Sequence, residues 1–265
     1  MAQTKALDLI NPEVLADEVS ANLPQKIRFA PFAKIDDTLE GQPGDTITRP
    51  RYAYIGAADD LVEGVPMDPA KLSMTTTQVT IKEAGKSVEV TEKAVLTNLS
   101  GTLDEAEKQI TMSLADKMEI DYLATLASAQ LSFAGAATSA ANIIDAVDVF
   151  GDEDEEDYIL FINNKDYTKL VKSLFSVGGD AQDKALSKGQ VSELVGVKDI
   201  VRTKRLPEGT SYLQKQDAVE IVYKRGVNVN KDADILARTV VLAGNQYYTT
   251  NLYNESGVVK MTATV

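Results

Sequence analysis

The segment GQPGDTITRP, residues 41–50, opens a β-hairpin that decides the fold. Its Gly and Pro residues predict a turn, and the alternation that follows over residues 45–49 is typical of a β-strand. The returning strand is predicted over residues 75–90, where β-branched residues alternate with polar ones. A hairpin running from about Gly41 to Val90 has too few neighbouring segments in this chain to bury both of its faces. We therefore expect another subunit to cover it.

The tip of this hairpin, Gly56 to Lys71, is rich in Gly, Pro and acidic residues. One interpretation is a mobile loop in solvent. The other is a reaching loop that becomes ordered on the next subunit. In the second interpretation the contact with that subunit is made by four acidic side chains, Asp59, Asp60, Glu63 and Asp68.

Beyond the hairpin, the sequence predicts one uninterrupted helix from Thr102 to about Ala127. Thr102 and Glu105 form a capping box, in which each side chain hydrogen-bonds to the backbone N–H of the other residue. At 1.5 Å per residue the helix would be roughly 39 Å long, enough to act as a strut across a domain. Apolar residues at three- and four-residue spacing predict its buried face: Leu103, Ala106, Ile110, Leu114 and Met118, widened by Ile120, Leu123 and Leu126.

The second half of the chain has the pattern of a separate α/β domain. A short buried strand is predicted at Tyr158 to Ile162, a helix at Lys165 to Leu174 and a further strand at Val197 to Thr203. Strands from Ala218 to Thr264 then close the chain. The fold class that these elements predict is α+β.

The composition argues against catalysis. The 265 residues include no Cys and no His, which excludes thiolate nucleophiles, catalysis and proton transfer by imidazole, and His-containing zinc sites. A carboxylate-dependent enzyme stays open, but most of the acidic residues fall in loops and runs. There is no apolar stretch long enough to span a membrane and no signal-peptide core at the amino terminus, so we expect a protein made and used in a cytoplasm.

The net charge of −13 argues against a protein whose whole surface binds nucleic acid. The six residues Asp152–Asp157 are all acidic, and we favour a solvated loop over a divalent-cation site for them. Residues 228–234 place side-chain oxygens at alternate positions, as a calcium loop does, but they lack its turn Gly and its distal Glu. We favour an ordinary polar turn there, and we predict no metal site, no cofactor and no catalytic residue.

A basic cluster lies within and just after the predicted strand from Val197 to Thr203. Its side chains could contact phosphate, but because the protein is acidic we favour a contact with the carboxylates of a neighbouring subunit. The residues of this cluster are Lys198, Arg202, Lys204 and Arg205.

The order of these parts resembles the tailed-bacteriophage major capsid proteins of the Hong Kong 97-type fold. Three motifs of the first half carry the resemblance: residues 41–50, the strand ending in Val88-Glu89-Val90-Thr91-Glu92, and the helix closing with Asp116-Lys117-Met118-Glu119-Ile120-Asp121-Tyr122-Leu123. In the second half, the segment YILFIN at residues 158–163 and the segment GQVSELVGVKDIV at residues 189–201 are similar to that family's axial domain. The resemblance covers nearly the whole chain.

The resemblance implies four parts. Residues 1–34 would form the N-terminal arm, residues 35–138 the extended loop and the peripheral domain with its spine helix, and residues 139–227 the axial domain. Residues 228–265 would supply strands that return to the peripheral and axial domains. The implied function is a major capsid protein that forms the hexamers and pentamers of an icosahedral shell around double-stranded DNA.

The resemblance also implies partners and a location. We expect the chain to bind copies of itself, a separate scaffolding protein and a portal, to contact packaged DNA non-specifically, and to have no membrane partner. It would be assembled in the host cytoplasm and located in the virion. The alternative is an encapsulin-like nanocompartment, which shares the fold but encloses a cargo enzyme.

The chain departs from the family pattern in two respects. A Met stands directly ahead of the predicted arm, where some family members carry a long scaffolding region, so we expect scaffolding to be a separate protein or not to be needed. Some members also join their subunits covalently through Lys and Asn side chains. No motif matches any residue of this chain to that reaction, and we do not predict it.

Overall fold

The computed structural model describes residues 28–52, 55–58, 60, 66, 69–97, 102–151, 156–175 and 195–263, and within them the fold is a mixed α+β fold. Strands and helices are numbered in chain order. The strands are β1 (Lys34–Asp36), β2 (Thr46–Tyr52), β3 (Met74–Thr80), β4 (Lys82–Thr91), β5 (Leu131–Ala134), β6 (Tyr158–Asn163), β7 (Asp199–Thr203), β8 (Thr210–Lys215), β9 (Val219–Asp234), β10 (Thr239–Leu252) and β11 (Val258–Thr262). The helices are α1 (Glu92–Thr97), α2 (Thr102–Leu126), α3 (Ala140–Asp148) and α4 (Asn164–Phe175).

These strands form three sheets. A four-stranded sheet has the order β1-β9-β10-β4, a five-stranded sheet has the order β5-β11-β8-β6-β7, and β2 pairs only with β3. The four-stranded sheet is antiparallel except for β1, which pairs parallel with β9. The described helices include none long and apolar enough to cross a membrane.

The predicted hairpin is shorter in the structure than in the sequence analysis. The antiparallel pairs of β2 and β3 run from Thr46 opposite Thr80 to Tyr52 opposite Met74. The chain then enters β4, which pairs along its whole length with β10 of the four-stranded sheet. The continuation of the hairpin to Val90 is therefore wrong: alternation predicts a strand but does not identify its partner, and β10 lies about 150 residues further along the chain.

Helix α2 supplies the largest apolar surface to the first core. Its buried residues are spaced as a helix face requires, and they pack with side chains of β9 and β10 and with Phe29. Ile120 was predicted on this face but is 50% exposed, because it lies about 200° around the helix from Met118. The side chain of Leu103 lies outside the described residues. The buried apolar residues of α2 are Ala106, Ile110, Leu114, Ala115, Met118, Tyr122, Leu123 and Leu126.

The second core is built on the five-stranded sheet. Its central strand β6 is buried at every residue, which agrees with the unbroken apolar run of Tyr158 to Ile162. Helices α3 and α4 pack on one face through Ile143, Ala146, Leu170 and Leu174. Ser139 caps α3 by accepting a hydrogen bond from the backbone N–H of Asn142.

The sheets cross the boundaries that the sequence analysis proposed. β5 lies before residue 139 but belongs to the five-stranded sheet, where it pairs with β11. β9 begins at Val219 and pairs with β1 and β10 of the four-stranded sheet. The polar turn predicted for residues 228–234 is wrong, since these residues form the end of β9 and pair with residues 239–245 of β10. Alternating Asn and Asp side chains on an exposed strand have the same period as the oxygens of a calcium loop.

Candidate assembly surfaces

The β2–β3 hairpin is the least buried element pair of the described fold. The described residues of β2 include no buried side chain, and Val79 is the buried residue of β3. Its far end is apolar: Tyr52 is 63% exposed, and Met74, the residue opposite it, is 52% exposed. Ile55 and Leu72, just beyond the strands, are each 60% exposed. A cluster of large exposed apolar side chains marks an interaction surface.

Of the four acidic residues predicted at the hairpin tip, the structure describes Asp60, which is exposed. Asp59, Glu63 and Asp68 lie outside the described residues. The apolar group Tyr52, Ile55, Leu72 and Met74 was missed by the sequence analysis. The signal was present in the pattern, because large apolar residues on both sides of a polar tip have no core within the hairpin to fill.

A second feature lies at the base of the hairpin, where Arg49 of β2 contacts two carboxylates of the four-stranded sheet. Its Nη2 atom lies 2.8 Å from Oε1 of Glu220 on β9 and also donates to Oδ2 of Asp36 on β1. The side chain of Glu220 is fully buried. We call Arg49, Asp36 and Glu220 the Arg49 clamp.

The two carboxylates of the Arg49 clamp have different environments. Burial alone would raise the pKa of Asp36, but hydrogen bonds from Thr38 and Arg49 outweigh it and lower that pKa to about 2. For Glu220, burial dominates and raises the pKa, although the nearby charge of Arg49 opposes the shift. Asp36 is therefore easily kept ionised, whereas ionising the buried Glu220 costs free energy.

The third feature is a basic cleft between helix α4 and the edge strand β7. It has a volume of about 990 Å³ and is lined by five cationic side chains against one carboxylate, Asp199. Tyr167 of α4 lies under the guanidinium of Arg202, 5.0 Å from its ring centroid. The five cationic residues of the basic cleft are Arg28, Lys172, Arg202, Lys204 and Arg205.

The structure brings three of the four predicted basic residues together and separates the fourth. Arg202, Lys204 and Arg205 line the basic cleft, whereas Lys198 lies just before β7 and forms an ion pair with Asp157 of the same chain. Arg205 is also paired within the chain, with Asp116 and with the nearly buried Glu119 of α2. Arg202 and Lys204 are exposed.

Two residues of the basic cleft were missed by the sequence analysis. Lys172 comes from the last turn of α4, and Arg28 comes from a segment remote in sequence. The backbone N–H of Arg28 donates to Glu119 at 3.1 Å, and its guanidinium donates to the carbonyl of Arg202 at 3.1 Å. No local pattern carries these contacts, because Arg28 and Arg202 are 174 positions apart.

The turn between β9 and β10 is a further exposed apolar site. Ile235 is 87% exposed and Leu236 is 96% exposed. Arg238 closes the turn with a positive φ of 53°, a left-handed conformation that few non-Gly residues adopt. Two adjacent large apolar residues in a polar stretch are a visible signal in the sequence, but no role was predicted for them.

Comparisons with known proteins identify the family of this chain. Residues 74–261 match the family model described as phage capsid protein. A curated relative, the major capsid protein of Staphylococcus phage phiMR11, is 35% identical over 98% of this chain and 95% of its own length. The chain belongs to the phage capsid protein family.

Solved structures show the same fold at much lower identity. The capsid of cyanophage P-SCSP1u matches this capsid protein with a TM-score of 0.69 and 13% identity, covering 89% of this chain and 88% of that one. Mycobacterium phage Che8 matches with a TM-score of 0.68 and 16% identity, covering 91% and 89%. A virus-like particle from Pyrococcus furiosus matches with a TM-score of 0.66 and 11% identity, covering 94% and 98%.

Membership of this family gives the chain a structural role. It is a capsid protein of the virion and not an enzyme, as the absence of Cys and His led us to expect. The nanocompartment alternative is not favoured, because the relative found at 35% identity is a phage major capsid protein. The Pyrococcus furiosus particle, at 11% identity, supports the fold alone.

Proposed function

We propose that many copies of this capsid protein form the hexamers and pentamers of an icosahedral shell that encloses double-stranded DNA. In this proposal the fold is of the Hong Kong 97 type, with an N-terminal arm, an extended loop formed by β2 and β3, a spine helix α2 in a peripheral domain, and an axial domain around the five-stranded sheet. The observation that carries the proposal is the exposed apolar end of the β2–β3 hairpin.

A two-stranded hairpin of this kind is marginal by itself in water. The body of the subunit supports it at its base through the Arg49 clamp and through Lys224, which donates to the carbonyl of Gly44. Tyr52, Ile55, Leu72 and Met74 at the other end have more than half of their surface in solvent. A neighbouring copy that covered them would gain apolar burial of about 25 cal/mol per Å².

The basic cleft supplies a second contact in the proposed shell. Since Lys198 and Arg205 already have carboxylate partners within the chain, the contact with a neighbour rests on Arg202 and Lys204, together with Lys172. We assign the acidic side of the contact to the hairpin tip, whose four acidic residues are Asp59, Asp60, Glu63 and Asp68. Opposite charges at the rim of an interface favour correct docking and fast association more than affinity.

The remaining partners follow from this type of shell. A portal and a separate scaffolding protein would complete the head, packaged DNA would contact the inner surface without sequence preference, and assembly would take place in the host cytoplasm.

Electron microscopy of the purified full chain in moderate salt, with light scattering of the same sample, tests the shell. We expect closed particles or rings of five or six copies. A homogeneous monomer under these conditions, and also with scaffold or crowding agent added, would overturn the proposal.

A charge exchange tests the contact at the basic cleft. The double variant Arg202→Glu, Lys204→Glu should remain folded but assemble poorly, because like charges would face each other across the interface. Adding Asp59→Lys and Asp60→Lys to the same chain should restore assembly. If the fourfold variant assembles no better than the double variant, the hairpin tip is not the partner of the cleft.

A further inference from the structure

We propose that Arg49 is a positioning residue: by holding Asp36 and Glu220 together it sets the direction in which the hairpin leaves the subunit, and acid releases this hold. The inference rests on the proposed function, in which the hairpin reaches a neighbouring copy. It adds a site of control to that function, since the position of the far end of a hairpin depends on the angle at its base.

Few side-chain bonds orient the hairpin on the body of the subunit. At its base the backbone N–H of Ile81 donates to the carbonyl of Asp45 at 2.7 Å, and β3 continues through Ile81 directly into β4 of the four-stranded sheet. Among the described side-chain hydrogen bonds and ion pairs, the hairpin is tied to that sheet by Arg49 and by the bond from Lys224 to the Gly44 carbonyl. The bond from the exposed Lys224 fixes one point, whereas Nη2 of Arg49 is held by carboxylates from two strands.

The two carboxylates of the Arg49 clamp come from different strands of the four-stranded sheet. Asp36 lies on β1 and Glu220 on β9, and these strands pair in parallel with Lys34 opposite Glu220 and Ile35 opposite Ile221. Arg49 therefore joins the hairpin to two strands of the body at once. Because a strand rises about 3.3 Å per residue, an angular change of the seven-residue β2 moves its far end much further than its base.

The hydrogen bonding of the Arg49 clamp is incompletely satisfied. The Nε atom of Arg49 and the Oε2 atom of Glu220 are both buried and have no hydrogen-bond partner. A buried network that is only partly satisfied depends strongly on each bond that remains, because the loss of one leaves a charge unpaired. Removal of Arg49 would leave Glu220 as a buried carboxylate whose remaining nearby cation is Lys34.

The acid response follows from the same geometry. The charged groups that face Glu220 are Lys34 and Asp36 on β1 and Arg49 on β2, and its partner on β10 is the uncharged Asn251. Burial raises the pKa of Glu220 while Arg49 is in place, and departure of Arg49 would raise it further. The released state therefore binds more protons than the clamped state, so a fall in pH favours release.

The response of the whole fold has the opposite sign. Because the pKa of Glu220 is higher in the folded chain than in the unfolded chain, acidification adds stability through this group. A positioning role therefore predicts that the hairpin loosens in acid through Glu220, while the same proton stabilises the subunit. An ion pair with a purely structural role would change the attachment of the hairpin and the stability of the subunit in the same direction.

The test uses hydrogen exchange of the β2–β3 amides in the full chain, thermal unfolding, and the yield of assembled particles. In Glu220→Gln the hairpin amides should exchange at least about tenfold faster while the melting temperature does not fall, because a buried charge has been removed. The yield of particles should fall. In Arg49→Leu both the exchange protection and the yield should fall further, and Arg49→Lys should restore part of each.

The matched control is Arg225→Leu, which removes an exposed Arg that donates to Asn245 and should leave hairpin exchange and yield unchanged. With intrinsic exchange rates divided out, the wild-type hairpin should loosen as the pH falls toward the raised pKa of Glu220, and Glu220→Gln should not respond over the same range. The proposal would be overturned if Arg49→Leu and Arg225→Leu had equal effects on hairpin exchange. It would also be overturned if the melting temperature of Glu220→Gln fell in proportion to its loss of exchange protection. Hydrogen exchange of the β2–β3 amides reports on the Arg49 clamp even if the chain forms no shell. The proposal for the clamp and the proposal for the shell can therefore fail separately.

Discussion

The molecule contains two long hairpins that use their surfaces in opposite ways. The β9–β10 hairpin is the centre of the four-stranded sheet, and the first four residues of β9 are all buried. The β2–β3 hairpin has a single partner for each strand and one buried residue among those described, Val79. β-branched residues and alternation are common to both.

The difference is in what each hairpin contacts. Helix α2 packs on β10, where Gly244 lies so close to Ile110 that an added Cβ would stand 2.6 Å from the Cγ2 atom of Ile110. Apart from each other, the main packing partner of β2 and β3 in the described structure is the strand β10 and not a helix. The first hairpin therefore stabilises the subunit, and the second contributes to the assembly that we propose.

Deletion of residues 56–71, with the flanking strands joined by a short Gly-containing turn, should abolish the formation of stable shells. The melting temperature of the dissociated subunit should change little, because few residues of the hairpin are buried in the body. Particle yield by electron microscopy and thermal unfolding by circular dichroism measure the two effects.

A variant that assembles normally and with equal stability would show that the hairpin does not reach a neighbour. A subunit that unfolds would show instead that the hairpin belongs to the core.

Leu114→Ala tests the other side of the comparison. Leu114 is 1% exposed on the face of α2 that packs on the four-stranded sheet, so its truncation should cost about 2–5 kcal/mol of unfolding free energy. Denaturant unfolding of the dissociated subunit measures the loss. Met112 lies two positions away and is 44% exposed, so Met112→Ala should cost far less unfolding free energy. Similar losses for the two variants would mean that α2 is not the core helix of the subunit.

Much of the fold could be predicted from the sequence because it depends on local periodicity. The extent of α2, the strand at Tyr158 and the helix that follows it are each specified by residues within one element. The family could also be identified from the sequence, since the order of the elements is itself a sequence property.

The errors have a common cause in long-range pairing. The partner of β4 is β10, and the carboxylate nearest to Arg49 on β9 is 171 positions away. The charge of a residue is visible in the sequence, but whether its partner lies in the same chain is not. Lys198 and Arg205 have carboxylate partners within the subunit, so the contact of either with a neighbour stays a prediction, and Lys172 of the basic cleft could not be identified from the sequence.

Tyr248→Phe tests the polar support between α2 and β10. The Tyr248 hydroxyl donates to Oδ2 of Asp121 at 2.7 Å, and burial together with this carboxylate raises the pKa of Tyr248 well above its ordinary value. Loss of the hydroxyl should cost about 1.5–3 kcal/mol, since the acceptor is charged. The control is Tyr253→Phe, because Tyr253 is 47% exposed. An equal loss in the control would mean that the buried bond contributes nothing specific.

Salt should have the smallest effect, because it screens the net charge of the whole chain. With a net charge of −13, copies repel one another at low ionic strength, and salt near 0.1 M reduces the screening length to about 10 Å. Assembly followed by light scattering should therefore improve up to moderate salt, by a few-fold, while contact pairs at the basic cleft persist. Arg202→Glu, Lys204→Glu makes the chain more negative and should need more salt for the same yield. Assembly that weakens steadily from the lowest salt would instead mean that ion pairs, and not the apolar end of the β2–β3 hairpin, dominate the contact between copies.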